Sequence, residues 1–383
     1  MNKHSTVKSL EVAEDLLFYS TLRHIEKKLK ETVVSVKKMD KLYGSKSNNN
    51  TIVTVGNFGG LNKYVLKFAS QDDINNEILG TQSIINYLPV PKIILFSLNE
   101  DNSWLLRDFV PGVLMTDITN HFELSEKSGR LEEMEFEKEK LIVRGYEKTN
   151  NVIGGKEYID LTANILFHKR LTGERFKQFY LEGKVATYLD KQICLNGKTF
   201  QYTLRQMFDR ISQKYSLVNN KQSLVLPSHG DAHHGNIIIS DKGNIHFFDN
   251  EYSGMLPVYM DLSKPYYNDL LGALFFYFQP QLLSHFKIES VKNTPLKLNL
   301  KVKLEKEFKT RMEITKIKLK QRNKFLDNKA DFLLLNDYLF LCHTLTKDPN
   351  LYPEDVKILF LALCPILCEF DTLDPESIYR YFN

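Results

Sequence analysis

The hydrophobic pattern of the chain changes period twice. Over residues 9–30, Leu10, Val12, Leu16, Leu17, Leu22 and Ile25 form an imperfect helical stripe. From residue 32 the spacing turns β-like: 32–39, 51–55 and 63–68 read as strands, with Asn48, Asn49 and Asn50 at a turn. Asp72 or Asp73 is expected to cap a helix running to about Tyr87, with Ile74, Ile78, Ile84 and Ile85 on its apolar side and Pro89 and Pro91 ending it. Strands follow at 93–98 and 103–109, so five strands and one inserted helix outline a small α+β lobe. Past Pro111-Gly112 the period becomes mainly helical, at 113–122, in pieces of 161–188, at 202–215, and from Leu262 to the end. The charged stretch 125–156 interrupts it, and the segment 145–156 reads as an exposed loop or hairpin. The expected division is an N-terminal lobe, 1–110, with a helical extension, and a C-terminal lobe, 111–383, carrying an insertion at about 125–188 on its acceptor side.

Composition adds limits. With 383 residues, 43% hydrophobic and 26% charged, the chain can bury two or three packed units. A net charge of +4 gives no argument for a nucleic-acid partner. Between Lys287 and Lys324 there are 13 Lys/Arg against four Glu, expected to form a solvated helical face. Cys194, Cys342, Cys364 and Cys368 lack zinc-site spacing and are expected to be buried free thiols. The first residues lack the apolar core of a signal peptide, and the longest apolar run, 358–368, is too short to span a bilayer and contains Pro365. The expectation is a soluble, cytoplasmic protein.

The segment 229–249 carries the chemistry. His229-Gly230-Asp231-Ala232-His233-His234-Gly235-Asn236 leads into the strand Ile237-Ile238-Ile239, a turn, a second strand at 245–248, and Asp249-Asn250-Glu251. Phosphoryl transfer needs a carboxylate to orient the attacking hydroxyl and oxygen ligands that hold magnesium against the phosphates. A carboxylate and an amide five residues apart on one loop, with a second carboxylate after the paired strand, supply those types. The arrangement resembles the aminoglycoside phosphotransferase and choline kinase superfamily, whose loop reads H-G-D-x-H-x-G-N. That resemblance implies a bilobal protein-kinase-like fold, with a small β-rich N-lobe holding one key helix and a larger helical C-lobe. It makes Asp231 the catalytic base and Asn236 and Asp249 magnesium ligands. His229 and His233 brace the loop, and Gly230 and Gly235 permit its tight backbone. The D-x-E ending is similar to choline and ethanolamine kinases and methylthioribose kinase; it makes Glu251 a further metal contact, against the alternative of a strand-end salt bridge. Asp261 matches the family's Asp that opens the next helix and steadies the loop.

A kinase also needs a cation on the α- and β-phosphates with an acidic partner. Lys67 stands alone in the apolar strand 64–68, and Glu77 is the only acid inside the following helix. No G-x-G-x-x-G or Walker A sequence is present. The loop 43–48, with Gly44, Ser45 and Ser47, resembles the superfamily's short phosphate-covering loop, an ordinary hairpin being the alternative. The segment 105–112 resembles its hinge, where backbone groups of Asp108, Phe109 and Val110 would meet adenine. These features follow one another in the order a bilobal kinase demands, which counts for more than any one of them.

The function expected is ATP- and Mg²⁺-dependent transfer of the γ-phosphate to a hydroxyl of a small molecule such as a sugar, amino alcohol or aminoglycoside. The alternatives are a protein Ser/Thr kinase, against which no A-P-E-like segment follows Asp249, and a nucleotide-binding pseudokinase scaffold, against which base, metal ligands and Lys are all retained. A cationic acceptor calls for carboxylates or aromatics. Asp269, Tyr266, Tyr267 and the aromatic cluster 275–278 are the candidates, with core packing as their competing role.

Overall fold

The computed structural model describes residues 4–39, 50–57, 60–99, 103–123, 128–149, 151–217, 222–272, 286–293, 296–302, 306–326, 329–369 and 375–380. Helix α1 (His4–Leu29) precedes strands β1 (Thr32–Lys38), β2 (Asn50–Asn57) and β3 (Gly60–Ala69), helix α2 (Gln71–Ile84), and strands β4 (Ile93–Ser97) and β5 (Ser103–Asp108). The five strands form one antiparallel sheet ordered β1-β2-β3-β5-β4. Its two faces are buried by different helices. Leu22 and Ile25 of α1 cover Val53, Val55, Leu66, Trp104 and Leu106, each fully buried aliphatic side chain contributing about 2 kcal/mol. Ile74 and Ile78 of α2 pack on Leu105 from the other side. Lys67 pairs in register with Leu105, and Arg107 with Val65, so both cations project toward α2.

The rest is helix-rich, the α+β, two-lobed arrangement expected from sequence. Strand β6 (Gly112–Leu114) leads into α3 (Met115–Glu123) and α4 (Ser128–Tyr146). Then come β7 (Asn151–Ile153), α5 (Gly155–Ile159), α6 (Thr162–Thr172), α7 (Glu174–Phe176), β8 (Ile193–Leu195), β9 (Lys198–Thr199) and α8 (Leu204–Leu217). Two small sheets frame the motif. Strand β10 (Ser223–Ser228) lies between β7 and β13 (Gly254–Leu256), and β11 (Ile237–Ser240) lies between β6 and β12 (Ile245–Phe247). The motif loop therefore leaves one sheet and enters the other. Helix α9 (Val258–Tyr267) follows, then the hairpin β14 (Phe286–Asn293) and β15 (Leu296–Val302). Helices α10 (Lys306–Arg322), α11 (Lys329–Thr346) and α12 (Glu354–Glu369) close the core, with α4 against α10 and α9 against α11.

Several sequence expectations are corrected. The cap of α2 is Ser70, whose hydroxyl accepts from the Asp73 N–H, because a hydroxyl at that position reaches the third amide of the helix. Residues 112–114 pair with β11 before α3 begins. The segment 145–156 ends α4 and adds β7 to the β10 sheet. The chain past Leu262 is not wholly helical: Leu296, Leu298, Leu300 and Val302 alternate with polar residues, a period of two, and form β15. The basic run is not simply a solvated face, since Arg311, Lys318 and Arg322 of α10 are buried. All four cysteines are free and buried, as expected.

Candidate active site

Three charged side chains from separate elements meet where the sheet faces the motif. Lys67 Nζ on β3 lies 2.5 Å from Glu77 Oε2 on α2 and 2.7 Å from Asp249 Oδ1 after β12. Arg107 on β5 supplies Glu77 with a second cation, its Nη1 2.6 Å from Oε1. Burial works against the Lys67 ammonium, but Glu77 and Asp249 outweigh it and raise its pKa. Burial pushes the Asp249 carboxyl up, and Lys67 overrides this to hold it at about 2. Asp249 sits at φ 63°, in the left-handed region that Asp tolerates better than most residues.

The motif loop is held by its own side chains. His229 Nδ1 accepts from the Asp231 N–H at 3.2 Å, so Nε2 carries the proton and donates to Phe248 O at 3.0 Å. His233 Nδ1 accepts from the Gly235 N–H at 3.0 Å. Asn236 Nδ2 donates to Asp231 O at 3.1 Å, which leaves its Oδ1 free of that bond. Gly230 has φ +76°, and a Cβ there would lie 2.3 Å from Tyr252 O. Asp261 sits inside the first turn of α9, where Pro257 is the cap, and is fully buried. Its Oδ1 accepts from the Gly230 N–H at 2.6 Å, so it steadies the loop directly and not as a helix cap.

Asp231 has an unexpected partner. Lys264 Nζ, one turn past Asp261 on α9, lies 2.9 Å from Asp231 Oδ2 and 3.6 Å from the centre of the Tyr252 ring. Burial raises the Asp231 pKa, yet Lys264, with His233, takes it below the ordinary carboxylate value. Oδ1 of Asp231 is shut off from water with no hydrogen-bond partner among the described residues, so it keeps acceptor capacity. Glu251 feels both charge centres. Burial and then Asp249 raise its pKa, while Tyr252, Lys67 and Lys264 oppose them. It forms no ion pair among the described residues, so the strand-end salt bridge is not made there.

Behind the loop lies a buried ionic network that the sequence reading missed. Arg322 on α10 bonds Glu139 on α4 at 2.6 Å and Asp261 at 2.8 Å. Lys318 bonds Glu135 at 2.7 Å and Asp269 at 3.1 Å. The His234 ring lies 2.7 Å from Glu135, and its backbone N–H donates to Asp269 at 2.9 Å. Lys138 joins Glu135 at 2.6 Å and Glu139 at 3.1 Å. Tyr146 donates to Asp261 in a short hydrogen bond. No local pattern marks these residues, which are far apart in sequence. Lys264 was within reach of inference, because residues three apart on a helix share a face and Asp261 was already assigned to the loop.

The hinge residues are partly committed. The Asp108 N–H donates to Lys92 O at 3.0 Å and the Phe109 N–H to Lys63 O at 3.3 Å, so two of the three N–H groups expected at the hinge are already bonded. Gly44, Ser45 and Ser47 lie outside the described residues. Helix α2 docks closely on the segment 249–251: a Cβ on Gly80 would lie 1.9 Å from Asn250 O, and Asn250 Nδ2 donates to Thr81 Oγ1 at 2.9 Å. Backbone cannot yield as a flexible side chain does, so Gly80→Ala is expected to cost about 1–3 kcal/mol in urea unfolding. It should also loosen the Lys67–Glu77 pair, because Glu77 moves with the helix.

No family model and no curated protein matches the chain. Among solved structures, choline kinase LicA from Streptococcus pneumoniae is similar at 14% identity and TM-score 0.44, over 92% of this chain and 99% of that one. A thermostable mutant of aminoglycoside phosphotransferase APH(4)-Ia, in ternary complex with AMP-PNP and hygromycin B, gives 12% and 0.46 over 94% and 98%. An aminoglycoside-3'-phosphotransferase of type VIII gives 12% and 0.43 over 79% and 93%.

Proposed function

We propose that the protein transfers the γ-phosphate of ATP to a hydroxyl of a small molecule. The observation that carries this reading is the meeting of Lys67, Glu77 and Asp249 beside a loop that presents Asp231 with an Oδ1 that accepts no hydrogen bond from the described residues, His233 Nε2 standing 3.8 Å from it. Lys67, fixed by Glu77, binds the α- and β-phosphates and neutralises their charge. Asp231 orients the acceptor. As the acceptor oxygen bonds to the γ-phosphorus, the bond to the β-phosphate oxygen breaks, ADP leaves, and the hydroxyl proton passes to Asp231 Oδ1.

Asn236 Oδ1, Asp249 and Glu251 are hard oxygen donors of the kind magnesium takes, and they are the residues that would hold it. Bound there, Mg²⁺ supplies charge neutralisation on the phosphates. Val110 and its neighbours would meet adenine, and residues 1–110 would form the nucleotide lobe.

Acceptor-dependent release of ADP from Mg-ATP, measured across sugars, amino alcohols, hydroxy acids and aminoglycosides, tests this reading; absence of release with every acceptor sinks it. A finer check uses pH. Lys264 holds the Asp231 pKa down, so the acid limb of kcat/KM should lie below the ordinary carboxylate range. In Lys264→Gln burial acts unopposed by that ammonium, Asp231 protonates at higher pH, and the acid limb moves up. An unmoved limb would separate Lys264 from the chemistry.

A further inference from the structure

If Lys67 binds the phosphates of ATP, as proposed above, its charge must be available to them. Lys67 is a single ammonium facing two carboxylates, Glu77 Oε2 at 2.5 Å and Asp249 Oδ1 at 2.7 Å. An arriving phosphate competes with both for the same charge. Glu77 is 1% exposed and has no water to turn to. With Lys67 as its sole cation, such a buried carboxylate would draw the ammonium to itself with both oxygens.

Arg107 changes that balance. It lies on β5 opposite Val65, diagonal to Lys67 across the β3–β5 ladder, so the two cations share one face of the sheet. Cations so placed repel unless an anion stands between them. Glu77 is that anion: Oε2 meets Lys67, and Oε1 meets Arg107 Nη1 at 2.6 Å. With its two oxygens on different cations, the carboxylate cannot swing wholly onto Lys67. The guanidinium is itself fixed. Its side chain is buried, and its centre lies 5.6 Å from the centre of the Phe248 ring. Phe248 directly precedes Asp249, and its carbonyl accepts from His229 Nε2 at 3.0 Å. Arg107 therefore touches both α2 and the segment that carries Asp249.

We propose that Arg107 is a positioning residue for the nucleotide. It holds Glu77 by one oxygen, so that Lys67 keeps its charge for phosphate. In this role it acts through Glu77 and not on the acceptor.

Calorimetric titration of the whole protein with Mg-AMP-PNP and with adenosine tests this. In Arg107→Met, affinity for AMP-PNP should fall about tenfold. Adenosine, which brings no phosphate to Lys67, should bind as it does to the wild type. Arg107→Lys keeps the charge and should recover most of the loss. In a Glu77→Gln background, Arg107→Met should cause no further loss, because the oxygen it held no longer carries charge. That background also leaves no carboxylate at residue 77 short of a cation, so the comparison stands even if Arg107→Met alone misfolds. Unchanged AMP-PNP affinity in Arg107→Met overturns the inference and leaves the phosphotransferase reading intact. Equal losses for AMP-PNP and adenosine overturn it too, since they mark general damage to the lobe. An undiminished tenfold loss in the Glu77→Gln background does the same. If the wild-type protein binds no Mg-AMP-PNP, the ATP reading and this inference fall together.

Discussion

Asp231→Asn is expected to lower kcat by about 10²–10⁴ while leaving the affinity for AMP-PNP unchanged. The amide keeps the size of the carboxylate and can still accept a bond from Lys264, so the loop should hold its shape. What disappears is the charge that aligns the attacking hydroxyl and takes its proton. The nucleotide contacts proposed above reside in Lys67, Glu77 and Asp249, which Asp231 does not touch, so binding measured by calorimetry should be indifferent to the change. Turnover surviving at wild-type rate would remove Asp231 from the mechanism. A parallel loss of nucleotide binding would show that the loop had collapsed.

Arg322→Ala should have the largest effect on stability. The Arg322 guanidinium is fully buried and bonds Glu139 at 2.6 Å and 3.1 Å and Asp261 at 2.8 Å. Truncation leaves two buried carboxylates without that partner, and such losses typically cost about 3–5 kcal/mol, more than the intact pair itself contributes. The melting temperature should fall by roughly 4–6 °C. Because Asp261 also accepts from the Gly230 N–H, activity should fall beyond what the unfolded fraction explains. A variant that melts like wild type would show that water reaches the site and that the network is structural ornament at most.

Much of the small lobe was legible because its signals are local. The strand edges at 32, 93 and 103 follow from β-branched runs bounded by turn residues, and Lys67 and Glu77 stand out because each is the lone charge of its kind inside an apolar element. The loop 229–236 and Asp249 were legible as a spaced set of residues with one shared chemistry. Lys264, Arg107 and His234 were not singled out as site residues, because a lysine on a helix or an arginine on a strand usually faces water. Their roles depend on what lies opposite, and the opposing residues come from elements far away in sequence. The basic run was misread for the same reason: counting charge cannot distinguish a solvated face from one that meets Glu135 and Glu139. The hairpin after residue 286 shows a different failure, where a clear alternation was overridden by the helical period around it.

The buried network also bears on the order in which the protein can become competent. Glu139 and Arg322 are separated by 183 positions, and Asp261 and Arg322 by 61. During synthesis the ribosome releases Glu135, Glu139, the motif loop and Asp261 well before Lys318 and Arg322. Until those cations emerge, the acids can stay solvated only if α4 and α9 remain apart, so the loop anchored on Asp261 cannot settle. The lobe around Lys67 has its own cores and needs nothing from that late segment to form. A nascent chain should therefore present an assembled N-terminal sheet while the loop 229–236 is still open, and settle that loop only after Arg322 has emerged.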